Sequence, residues 1–154
     1  MKKYDCLFIG NAIVDVVANV SFEFLKDQNI DVGSWRPTTL DEISQLQNKM
    51  ENILVASGGS AANSAVGFSL LGGKSSFIGR VKADEFGELY VKDLQDANVD
   101  FVSSAVSDGD ETGRCLVYVT PDAQRSMRTY LGAASNLSPD EINDSSVEES
   151  ESVS

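Results

Sequence analysis

Residues 53–79 read ILVASGGSAANSAVGFSLLGGKSSFIG, and the order of residue types in this stretch decides the fold class. Ile53-Leu54-Val55-Ala56 has the short apolar run of a strand, and Ser57-Gly58-Gly59-Ser60 has the composition of a turn. Ala61 to Leu71 follows with small and apolar residues nearly all round a helical projection. A helix apolar on every side is a buried one. Gly72-Gly73 ends it, because glycine enters the left-handed conformation that closes helices at little cost. Ser75-Ser76-Phe77-Ile78-Gly79 then reads as the next strand.

The same alternation extends in both directions. Upstream, Cys6-Leu7-Phe8-Ile9 is continuously apolar, as in a strand covered on both faces; Gly10-Asn11 interrupts it before Ile13-Val14-Asp15-Val16-Val17 resumes. This predicts one buried strand ending at a polar Asp15. Thr39, with Glu42 three residues on, fits a capping box, and Leu40, Ile43, Leu46, Met50 and Ile53 recur at helical spacing. Downstream, Asp84 opens a helix whose Phe86, Leu89, Tyr90, Leu94 and Ala97 share one face. Strands alternating with helices need crossover connections, which implies an α/β architecture with a mostly parallel sheet. Beyond it the pattern changes. Phe101–Val106, Arg114–Thr120 and Ser126–Leu131 are strand-like runs separated by Asp108-Gly109-Asp110 and Pro121-Asp122-Ala123, which predicts an antiparallel meander.

Charge excludes whole classes of partner. Twenty-four acids against 12 bases leave a formal charge of -12, the wrong sign for gripping nucleic acid or anionic lipid. No apolar run approaches the roughly 18 residues of a membrane span, and Met1-Lys2-Lys3-Tyr4-Asp5 leads straight into a strand-like segment without a signal-peptide core. Cys6 and Cys115 lie in apolar strand-like stretches without Cys-x-x-Cys spacing, and the chain has no His, so reduced core cysteines and no metal set are expected. Cytoplasmic location is the default. After Arg128 there is no further Lys or Arg, and acids gather among serines over 138–154. That tail reads either as a frayed acidic end or, because Ser138-Pro139-Asp140-Glu141 has the form of a helix start, as a chain that stops inside a larger domain.

Two nucleotide-binding motifs fail on mechanics. Gly72-Gly73-Lys74-Ser75 ends like a phosphate loop, but Phe68 stands where the motif needs its first Gly, and a helix precedes where a strand must. No Gly-x-Gly-x-x-Gly occurs. A stronger constellation is Gly58-Gly59-Ser60-Ala61-Ala62-Asn63-Ser64-Ala65. A glycine pair at a strand-to-helix turn lets backbone approach a ligand, free N–H groups at the helix start can donate to hydroxyls, and Asn63 adds a donor and an acceptor. These eight residues alone equally describe a tight turn before a small helix packed on a sheet.

This block resembles the first signature of the ribokinase (PfkB) family of carbohydrate and nucleoside kinases, with Gly58, Gly59, Ala61, Asn63, Ala65 and Gly72 all fitting it. Phe77 through Gly87 is similar to the family's next segment, with Lys82 where the usual residue is Gly and Ala83 where it is Asp. Gly10-Asn11-Ala12-Ile13-Val14-Asp15 resembles the opening strand whose Asp binds acceptor hydroxyls. Thr112-Gly113 and the run to Ser126 resemble the later lid strands. Four ordered blocks thus cover roughly residues 4–142.

The resemblance implies a ribokinase-like three-layer α/β fold, with a mostly parallel sheet and a small β lid drawn from about 14–36 and 100–130, incomplete at its C-terminus within residues 1–154. It implies transfer of the ATP γ-phosphate to a hydroxymethyl group of a sugar or nucleoside, with ATP and Mg²⁺ as cofactors of the intact protein and neither bound to this chain. Catalysis would lie elsewhere, since the family's Gly-x-Gly-Asp base motif does not occur here. By matching position, Asp15, Gly58, Gly59 and Asn63 would bind the acceptor. Asp15 alone would read as a solvated carboxylate at a strand end. Arg125 lies where nucleoside-kinase-like members carry an Arg near acceptor or phosphate, and it reads equally as a turn charge on a surface hairpin. A protein that binds sugar without phosphorylating it, or a lid-mediated homodimer module, stands as the alternative.

Overall fold

Gly10-Asn11 does more than interrupt one strand: it parts two strands that enter different sheets. A computed structural model of the protein, describing residues 1–154, places β1 (Tyr4–Ile9) in a four-stranded sheet and β2 (Ile13–Asn19) in a five-stranded one. The single strand expected over this stretch is therefore two. Apolar continuity reports burial and carries no information on which sheet does the burying.

The first sheet has the order β6-β5-β1-β9, with β5 (Ser75–Ile78), β6 (Val99–Phe101) and β9 (Ser150–Val153), and every pairing in it is parallel. Cys6, Phe8, Phe77 and Val99 pack against Ala62 and Ala65 of α3 (Ser60–Leu70) and Tyr90 and Leu94 of α4 (Glu85–Asp96). Leu7 and Ile78 project to the opposite face and are equally buried, so the sheet is covered on both sides, as parallel sheets require. Asp84 caps α4 by accepting the Gly87 N–H at 2.8 Å, and the helical face expected from Phe86 to Leu94 faces this core.

The second sheet has the order β3-β8-β7-β2-β4, with β3 (Trp35–Pro37), β4 (Leu54–Gly58), β7 (Gly113–Val119) and β8 (Arg125–Tyr130). β7 and β8 form the antiparallel pair the turn Pro121-Asp122-Ala123 predicts. One face, through Val16, Ala18, Leu116 and Tyr118, packs on Leu25 of α1 (Phe22–Asp27) and on Ile43 and Leu46 of α2 (Leu40–Gln47). The opposite face carries Asp15, Val17, Val117, Val119 and Met127 and is left open by both helices.

Four local expectations are corrected. β4 joins the second sheet as its edge, antiparallel to β2, and not the parallel core; Leu54 is 68% exposed there, as an edge residue can be. The strand expected over Phe101–Val106 instead runs Val99–Phe101 and pairs parallel with β5, so the antiparallel pattern begins only at β7. The acidic tail is folded. Pro139–Glu141 makes one 3-10 turn, Asn143 caps α5 (Asp144–Glu148), and β9 lies parallel on β1. Ser-Glu-Ser-Val carries no strand signal of its own; backbone pairing with β1 supplies it. At α2, Thr39 accepts the Glu42 N–H at 3.3 Å, but Glu42 turns its carboxylate to Arg36, leaving half a capping box.

Candidate functional site

The turn from β4 into α3 meets the link between β1 and β2, and this junction is built from close backbone approaches. Gly59 has φ +93°, and a Cβ there would stand 2.5 Å from the Asn11 carbonyl oxygen. A Cβ at Gly10 would stand 2.7 Å from that of Ala61. Only glycine admits these contacts, so the turn can lie directly on the Gly10-Asn11-Ala12 link. Gly59 is also the N-cap of α3 and offers no side chain to cap it, which leaves first-turn N–H groups free to donate to a ligand.

Asp15 enters this junction from the open face of β2. Its strand neighbours are Ala56 on β4 and Cys115 on β7. Its carboxyl leans on the Gly58 α-carbon so closely that a Cβ at position 58 would stand 2.5 Å from it. Burial raises the Asp15 pKa from its ordinary value, and the Arg125 guanidinium partly opposes this. Asp15 is thus half-buried and without a protein hydrogen-bond donor in contact, a carboxylate able to accept from ligand hydroxyls.

Asn63 sits exposed on the first turn of α3, with its backbone N–H committed to the Gly59 carbonyl at 2.9 Å and its side chain free. Arg125, the first residue of β8, is exposed and shares with Asp15 a cavity of about 240 Å³ walled by Val17, Val117, Val119 and Met127. The structure therefore gathers Gly58, Gly59 and Asp15 at one point, sets Asn63 on the adjoining helix start, and puts Arg125 at the far side of the apolar face. Three roomier cavities, of about 470, 550 and 320 Å³, lie at the strand starts beside Lys74, along the outer side of α4, and between Phe24 and Met50; none contains any of these residues.

Residues that the sequence patterns left unassigned also reach the site. Asn11 is exposed at the junction, and its place between the two apolar runs is the one signal that pointed there. Cys115 lies beside Asp15 on β7, where burial pushes its thiol pKa up; it accepts the Thr129 hydroxyl at 3.2 Å. That thiol is a poor nucleophile at neutral pH. Tyr90 donates its hydroxyl to the Gly58 carbonyl at 3.3 Å, and burial pushes its pKa far above the ordinary phenol range. Nowhere do three His, Cys, Asp or Glu side chains come together in a way that could hold a metal ion. No helix is long and apolar enough to cross a membrane.

Comparison with known proteins gives the family and the fold. The model of the "pfkB family carbohydrate kinase" matches residues 6–154. The crystal structure of adenosine kinase from Sinorhizobium meliloti superposes with a TM-score of 0.89 at 38% identity, over 98% of this chain and 46% of that one. A probable sugar kinase from Rhizobium etli CFN 42 gives 0.89 at 34%, over 99% and 46%. Among curated proteins, probable fructokinase-6, chloroplastic, of Arabidopsis thaliana is 37% identical over 82 residues, 53% of this chain and 21% of that protein. The chain spans less than half the length of the two solved structures, and its match covers about a fifth of the plant protein. The ribokinase-like α/β fold is therefore shared with both solved structures over nearly the whole of this chain.

Proposed function

Because the chain belongs to the pfkB family of carbohydrate kinases, we propose that it supplies the acceptor-binding part of an ATP-dependent kinase that phosphorylates the hydroxymethyl group of a furanose sugar or nucleoside. The observation that carries this reading is the Asp15 carboxyl lying against Gly58 beside an uncapped helix start. An acceptor carboxylate next to free N–H donors is what a pair of vicinal hydroxyls requires, since each hydroxyl both donates and accepts. In this reading Asp15 accepts from the hydroxyls, Gly58 and Gly59 give close backbone contact, and Asn63 binds a further hydroxyl. The apolar wall of Val17, Val117, Val119 and Met127 suits the flat, weakly polar base of a nucleoside, with Arg125 at its rim. Cytoplasmic residence belongs to the same reading, supported by two cysteines that are free and buried.

ATP and Mg²⁺ belong to the intact enzyme. The residues present do not fit them: no acidic cluster could hold the cation, and the one Gly-Lys-Ser runs from helix into strand, its Lys74 N–H held by Asp5 at 2.8 Å. Phosphoryl transfer rests on positioning and charge stabilisation, and a general base alone contributes about 10² to 10⁴ in rate. With no Gly-x-Gly-Asp in the sequence, residues 1–154 alone are expected to give no useful turnover.

The test is an assay of the longest reading frame that contains residues 1–154, with ATP and Mg²⁺, against a panel of sugars and nucleosides. ATP-dependent phosphorylation of at least one furanose-bearing acceptor is expected. A folded protein inactive across the panel, yet binding a sugar, would favour recognition without phosphorylation.

A further inference from the structure

Helix α4 contributes nothing to the walls of the Asp15 cavity, yet its N-cap Asp84 and two of its side chains hold the two strands that flank β2 at their ends. Asp84 takes the Thr112 N–H at 2.9 Å and the Thr112 hydroxyl at 2.7 Å, immediately before β7 begins. Asp93 accepts the Ser57 N–H at 2.8 Å, and Tyr90 donates to the Gly58 carbonyl at 3.3 Å, both at the end of β4. The strand registers set Ile13, the first residue of β2, between Gly58 on one side and Gly113 on the other. The helix therefore grips both neighbours of β2 at the level where β2 starts, two residues before Asp15.

This grip depends on close approach. A Cβ at Gly87 would collide with the Lys82 carbonyl oxygen and come within 3.1 Å of the Thr112 hydroxyl, so glycine is what lets α4 reach the second sheet. β4 is the last strand of that sheet, and its outer backbone groups have no further strand to pair with. Asp93 supplies the acceptor that a neighbouring strand would otherwise give. Tyr90 is fully buried, and its ring packs with Phe77 and Phe101 of the parallel sheet, so the hydroxyl is aimed from a rigid base.

We propose that Tyr90 and Asp93 are positioning residues for the acceptor site: they pin Ser57-Gly58 so that the Gly58 α-carbon stays against the Asp15 carboxyl, fixing its orientation and keeping water from one side of it. The functional consequence rests on the acceptor-binding reading above, whereas the pinning is a property of the fold alone. The charged and titratable groups that face Asp15 are Arg125 from β8, Cys115 from β7 and Tyr90 itself. Loosening the Gly58 wall would wet the carboxyl and move its titration back towards the ordinary aspartate range.

The 154-residue chain at low ionic strength is the sample, and the two readouts are the side-chain carboxyl ¹³C titration of Asp15 and amide hydrogen exchange resolved by residue. Asp93→Ala is expected to speed exchange at Ser57 and Gly58 by about tenfold, the loss of one half-buried charged acceptor, and to lower the Asp15 midpoint. Asp93→Asn keeps an acceptor oxygen and is expected to stay close to wild type on both. Tyr90→Phe keeps the packed ring and is expected to act at the same residues, by a smaller factor. The proposal is overturned if Asp93→Asn behaves like Asp93→Ala, or if exchange rises equally in β1 and β8. It is also overturned if the Asp15 midpoint is unmoved in both Asp93→Ala and Tyr90→Phe. Shifts as expected in a chain whose full reading frame binds no acceptor would uphold the pinning and reject the kinase reading.

Discussion

At Asp15 two effects oppose each other. Burial against Gly58 raises its pKa above the ordinary 3.8, and the Arg125 charge lowers it by less. A carboxyl whose folded pKa exceeds its unfolded one favours the fold fully below the unfolded value, and that contribution is lost as pH rises through the folded value. At neutral pH the ionised group is therefore a cost to stability, kept for its ability to accept hydrogen bonds. Asp15→Asn is expected to raise Tm relative to wild type near pH 7, with the gap closing as pH falls towards 4; a gap constant with pH, followed by calorimetry, would contradict this. In the same reading, Asp15→Ala and Asn63→Ala weaken acceptor binding in the intact enzyme by about 1 to 3 kcal/mol each, the upper end applying to the charged residue. Isothermal titration on folded variants measures it, and unaltered affinity would remove either residue from the site.

At the level of elements, α4 carries more than its own amphipathic pattern foretold. Its apolar face was legible from Phe86, Tyr90 and Leu94, because helical periodicity encodes which side is buried. The polar contacts of Asp84, Tyr90 and Asp93 were not, because their partners Thr112, Gly58 and Ser57 lie 28, 32 and 36 residues away and no local spacing links them. Gly87 is where this geometry can be tested on stability. The atom a methyl group there would strike is backbone and cannot step aside, so Gly87→Ala is expected to destabilise by about 2 kcal/mol or more. Denaturant unfolding of the variant checks this, and a loss below about 0.5 kcal/mol would mean that α4 can shift away from Thr112 freely.

Across the whole molecule, the parallel sheet ends at β9, whose outer backbone groups face no further strand, while Leu70 and Leu71 at the end of α3 are 78% and 91% exposed. Such edges and apolar patches promote association. The net charge of -12 opposes it, and salt screens charge within a Debye length of about 10 Å at 0.1 M. Residues 1–154 are therefore expected to be more nearly monomeric at low salt and to associate as salt rises, read by light scattering behind size exclusion. Behaviour independent of salt, with a monomer throughout, would show that neither feature drives self-association. Contact through the open face of the second sheet, the lid-mediated dimer, predicts a discrete dimer blocked by a charge at Val119 or Met127.

The sequence by itself determined the alternation of strands and helices, the glycine pair before α3, the buried cysteines and the four ordered blocks that place the chain in its family. All of these are written within a dozen or so consecutive residues, where backbone preference and the burial of one face act locally. Tertiary structure alone decided that β1 and β2 part into two sheets, that β4 and β6 exchange the places expected of them, and that Ser150–Val153 becomes a strand. It also decided that the Asp15 carboxyl rests on the α-carbon of Gly58, 43 positions along the chain, under the grip of α4. An apolar run specifies that it will be covered and leaves open by what, and that choice is made only when non-local backbone pairing and close packing are satisfied together.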